Sequence, residues 1–136
     1  MSEISKGVYS MLSQEGGSVV GLVGNRITPE ARTQGAPLPS VVYAITADEP
    51  LPALSSDSGA RKAQIEVMSL AATAAGASVL NEAVRSTMHF ESGTFGEVVI
   101  LHCLHSKSVS NYQPPSAGES VGIFVQASIF NILYSS

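Results

Sequence analysis

Several groups of residues in this chain are candidates for catalysis or metal binding by their identity and separation in sequence. Gly118-Glu119-Ser120-Val121-Gly122 has the G-x-S-x-G form of a nucleophile elbow, which sets a serine on a strained turn between a strand and a helix. That chemistry needs a helix after the serine and a histidine later in the chain. Here Ile123-Phe124-Val125-Gln126-Ala127 reads as a strand, and His89, His102 and His105 all precede Ser120. A loop entering a strand is the better reading.

His102-Cys103-Leu104-His105 holds metal-ligand types. On a strand, Cys103 and His105 share one face and His102 takes the other. Zinc needs four protein ligands in a structural site and three in a catalytic one, so a buried thiol beside exposed imidazoles is expected. Asp48, Glu49 and Asp57 could do acid–base work or bind a cation; the plainer reading is a solvated acidic loop. Gly16, Gly17, Gly21 and Gly24 match neither a phosphate-binding loop nor a dinucleotide fingerprint. No catalytic, cofactor-binding or metal-binding set is assigned, and the chain is expected not to be an enzyme.

The elements that carry these residues belong to one domain, residues 1–136. The chain is 44% hydrophobic and only 13% charged, a composition that suits surface covered by other subunits. It excludes a disordered chain, and no apolar run is long enough for a membrane helix. The net charge is −4 and the seven basic residues are scattered, without the basic stripe of a nucleic-acid binder. Cys103 is the single cysteine, so an internal disulfide is excluded. The first residues lack a signal-peptide pattern, and a reducing cytosol is the expected setting.

Ile4, Val8, Met11 and Leu12 recur at helical spacing, ended by Gly16-Gly17. A short second helix runs through Val19, Val20, Leu22 and Val23, with Gly24-Asn25 as its stop. Arg26-Ile27-Thr28 reads as a brief edge strand, and residues 29–39, rich in proline, as an irregular connection. Residues 41–46 are β-branched and aromatic, a strand. Residues 47–60 read as a long polar loop. Ala63, Ile65 and Val67 alternate with Lys62, Gln64 and Glu66 in a half-buried strand. Residues 73–88 return to helical spacing, with Thr73 as N-cap, Ala77, Leu80, Val84 and Met88 inward, and Asn81, Glu82 and Arg85 toward water. Residues 98–104 and 121–134 are further strands, separated by a second polar loop at 106–120. This order predicts an α+β fold: an antiparallel sheet of about four strands with helices packed on one face.

One ordered set of features is recognisable. A short helix precedes Val20-Gly21-Leu22-Val23-Gly24-Asn25-Arg26-Ile27, and Ala36-Pro37-Leu38-Pro39-Ser40-Val41-Val42-Tyr43 enters a strand. Gly59-Ala60-Arg61-Lys62-Ala63-Gln64-Ile65-Glu66-Val67 forms the next strand. An alanine-rich helix ends in Asn81-Glu82-Ala83-Val84-Arg85-Ser86-Thr87-Met88, and the last strand closes on Ile132-Leu133-Tyr134. In this order the features resemble the siphophage tail-completion, or tail-terminator, proteins of the head–tail joining region of tailed phages and gene transfer agents. The chain departs from them at Met68-Ser69-Leu70, where an aromatic is frequent, and in residues 106–120.

The resemblance implies a structural virion protein, assembled in the host cytoplasm. It would form a homo-hexameric ring at the head-proximal end of the tail tube, stopping tube growth and joining the capsid neck. Its implied partners are its own copies, the major tail tube protein and a neck or connector protein. DNA passes through the lumen without specific binding, and no membrane or cofactor is involved. A negative lumen would repel phosphates. Within that picture Asp48, Glu49, Asp57 and Arg61 are assigned to a subunit contact or the lumen, and Lys107, Tyr112 and Glu119 to the tube or neck. The alternatives are a head–tail connector or minor tail protein at the same neck and, more distantly, a small hydrolase or ligand-binding module.

Overall fold

The computed structural model describes residues 3–14, 17–30, 37–52, 57–115 and 122–135. The first apolar stripe forms α1 (Glu3–Leu12), and the second forms α2 (Ser18–Val23). Then come β1 (Ile27–Pro29), β2 (Ser40–Pro52), β3 (Asp57–Ala71), α3 (Ala74–Met88), β4 (Gly93–Phe95), β5 (Val98–Gln113) and β6 (Ile123–Ser135). The strands make one sheet in the order β1-β2-β3-β6-β5-β4.

This α+β sheet differs from the sequence expectation in two respects. Among the described residues it has six strands, not about four, because the three-residue β1 and β4 flank the long ones. It is also mixed: β1 runs parallel to β2, while every other pair is antiparallel.

The period of two sets the core. Val41 and Tyr43 of β2, Ala63, Ile65 and Val67 of β3, and Phe130, Ile132 and Tyr134 of β6 are all buried in one cluster. The stripes of all three helices close that face: Ile4, Val8, Met11 and Leu12 from α1, Val19 and Val23 from α2, and Leu80, Val84 and Met88 from α3. The other face has a smaller cluster in which the register sets Val42 beside Met68 and Leu70 beside Val125.

Helix α3 starts as its sequence predicts, with Thr73 Oγ1 accepting from the Gly76 N–H at 2.9 Å. Helix α1 crosses the β4–β5 turn closely enough that a Cβ on Gly7 would lie 2.6 Å from Val98 Cγ2.

Both expected polar loops are largely strand. β2 continues to Pro52 and β3 begins at Asp57, so most of residues 47–60 form a hairpin. β5 continues to Gln113 and pairs with β6 down to Gln113 opposite Ile123. Residues 47–50 and 106–113 read as loop because they are exposed. A strand exposed on both faces has no apolar alternation to show.

Candidate functional site

β3 pairs with β6 only from Ala60 onward, opposite Ser135. Before that point β2 and β3 pair with each other as far as Pro52 opposite Asp57, so the hairpin projects past the end of β6 as an arm. Its root is clamped. Asp48 Oδ1 accepts from Arg61 Nε at 3.1 Å and from the Tyr134 hydroxyl at 2.7 Å. The Asp48 hydrogen bond, and then that of Tyr134, hold the Arg61 guanidinium above its ordinary pKa. Burial, and next the bond to Asp48, push the Tyr134 phenol up to about 12.

Asp48 and Arg61, which the resemblance assigns to a subunit contact or the lumen, form an ion pair within the chain in which both side chains stay partly exposed. Glu49 is exposed on the arm, opposite Lys62 in the ladder. Asp57 opens β3 and its side chain lies outside the described residues. Tyr134 was legible from the sequence only as the tip of the closing strand, not as a site residue. Its signal was an apolar ring with a polar tip at the end of a core-facing series.

The second surface is the outer side of β5. β4 covers only Val98, Val99 and Ile100. Next, the Phe90 N–H donates to Cys103 O at 2.7 Å, and the His105 N–H donates to His89 Nδ1 at 3.0 Å. Beyond them, residues 107–113 have β6 on one side and no strand on the other among the described residues. Leu101, Leu104, Val109 and Tyr112 are exposed along this strand. Lys107 and Tyr112, expected on a loop, are exposed strand residues. The Tyr112 ring packs on Phe124 with centroids 4.8 Å apart, and its N–H donates to Asn111 Oδ1 at 2.8 Å. Glu119 lies outside the described residues.

A polar network ties α3 to the sheet. Ser128 Oγ donates to Asn81 Oδ1 at 2.6 Å and lies 2.9 Å from Ser108 Oγ, which is 3.0 Å from His105 Nε2. Asn81, expected to face water, is therefore buried; two serines on the sheet make a polar spot beneath it. Ser108 and His105 have the spacing of a nucleophile and base. The nearby carboxylate of Glu82 is instead engaged by Arg85 in an ion pair one helical turn on. Burial first, then Arg85 and His89, lower the His105 pKa. The arrangement fastens a helix to two strands.

Cys103 is buried and His102 exposed, as strand alternation requires. Burial, with a smaller contribution from Glu91, pushes the Cys103 thiol up to about 12. Among the described residues, no three of His, Cys, Asp and Glu are grouped to hold a metal, and no helix is long and apolar enough to cross a membrane. Of the G-x-S-x-G pattern, Ser120 lies outside the described residues, and Gly122 is followed by strand β6 where an elbow requires a helix.

No protein-family model and no curated protein matches this sequence. Among solved structures, the chain is similar to a chain of the virion of a native gene transfer agent particle, with a TM-score of 0.64. The match covers 95% of this chain and 92% of that one at 13% identity. The likeness is one of fold.

Proposed function

We propose that this chain is a structural virion protein, a tail terminator that closes the head-proximal end of a tail tube as a ring. The near full-length likeness of fold to a chain of a gene transfer agent virion carries this reading. The two surfaces support it. A closed ring joins unlike patches head to tail, and this sheet offers an arm on the β2 side and an uncovered strand on the β5 side.

In this reading the arm, with Glu49 and Asp57, meets a neighbouring copy or lines the lumen, while Asp48 and Arg61 set its direction. The β5 edge, with Lys107 and Tyr112, and the segment holding Glu119, face the tube or neck. The partners are further copies, the tube protein and a neck protein, and DNA passes through the lumen without specific binding. The reaction chemistry of an enzyme plays no part.

The test is electron microscopy of particles made without this chain. Overlong tails lacking heads, beside filled heads, are expected. Tails of normal length that fail to join heads would replace the terminator by a connector, and normal infectious particles would overturn both. Glu49→Gln with Asp57→Asn, which spares the Asp48 clamp, tests the arm: normal tails would remove its assignment.

A further inference from the structure

Just beyond the C-terminal end of α3, Phe90 turns the chain with φ +64°. That backbone region favours glycine, and a bulky side chain there is strained. The Phe90 ring rests on the His89 imidazole, centroids 3.9 Å apart, yet it is 73% exposed, more than any other large apolar side chain among the described residues. A turn that glycine would relax instead holds an aromatic ring out into solvent.

At the other end of the same helix lies an apolar cavity of about 400 Å³, lined by residues that include Leu22, Leu38, Ala75, Gly76, Val79 and Leu80. Alanine and glycine on the first turn of α3 leave it open, and Val79 is 57% exposed beside it. A dry cavity of about 150 Å³ already accepts a benzene ring. The helix is 15 residues long, about 22 Å at its usual rise, so Phe90 does not reach the cavity of its own copy.

We infer that Phe90 of one copy seats in the Leu22–Leu38–Val79 cavity of the next, joining copies head to tail. Unlike patches on one chain make a contact that repeats and, with the right rotation, closes. The charges agree. Glu91 follows the ring, and Arg26 is held next to a lining residue of the cavity, its Nε donating at 2.8 Å to the carbonyl of Pro39. The inference rests on the ring reading above and names its contact.

Sedimentation of the purified chain tests it. Phe90→Gly relaxes the turn, so its thermal midpoint is expected to be no lower than wild type, while self-association weakens at least about tenfold. Ala75→Trp fills the cavity and is expected to weaken association similarly. Under mild oxidation, Phe90→Cys mixed with Val79→Cys is expected to give a covalent dimer that neither variant gives alone; Cys103 is buried and stays silent. Phe90→Gly that assembles like wild type would overturn the contact and leave the ring standing. Phe90→Cys that dimerises alone would overturn it too, since like would then meet like. A wild-type chain that stays monomeric at every concentration also overturns it, while the tail-end role is decided separately by particles lacking the chain.

Discussion

The Tyr134 hydroxyl donates to Asp48 Oδ1 at 2.7 Å, across 86 positions of sequence. This bond ties the last strand to the root of the β2–β3 arm, where Asp48 also holds Arg61. Tyr134→Phe removes it without opening a cavity and is expected to cost about 1 kcal/mol in denaturant unfolding. The phenol also sets an alkaline limit. Its folded pKa is raised from 10.0 to about 12, so its contribution is complete below the unfolded value and is lost as pH rises through that window. Stability of wild type should therefore fall more steeply there than that of Tyr134→Phe. Parallel profiles would refute the linkage.

Cys103 should be chemically silent in the native protein. The thiolate is the reactive form, and burial has moved the thiol from 9.0 to about 12. A disulfide reagent at about pH 8 is expected to label it only after denaturant is added. Rapid labelling of folded protein would show that β5 opens locally.

Asn81→Ala leaves the Ser128 hydroxyl, buried in the core face, without its carbonyl acceptor. A cost of about 1–3 kcal/mol is expected by chemical denaturation, larger than for an exposed helix position. A neutral result would mean that Ser108 alone satisfies Ser128.

Gly7→Ala sets two effects against each other. Alanine favours the helix by about 1 kcal/mol, but its Cβ would meet Val98 Cγ2 at 2.6 Å and Phe95 O at 3.3 Å. Overpacking of that kind costs about 1–3 kcal/mol, so net destabilisation is expected. Combined with Val98→Ala, the loss should be smaller than the sum of the two single changes. Strict additivity would place the conflict elsewhere.

The helices and the inner strands were legible because burial on one side writes its own period into the chain. The stripe Ile4, Val8, Met11, Leu12 and the alternation Ala63, Ile65, Val67 are both records of a single buried face. Thr73 was legible because a cap bonds an amide only a few residues away. The extensions of β2 and β5 were not, because exposed paired strands carry polar residues on both faces and look like loops. β1 and β4 are too short for any period to emerge.

The candidate surfaces follow the same division. Residue type and local spacing are enough to make residues near 48 and 107 polar and outward, to bury Cys103, and to pick the faces of α1, β3 and α3 that make the core. Long-range packing engages Asp48 with Arg61 and Tyr134, turns Asn81 inward to Ser128, and leaves Phe90 uncovered beyond one end of α3 with a cavity at the other. Each of these depends on groups far apart in sequence or on space between elements. Local spacing records which face is buried, but not what lies against it.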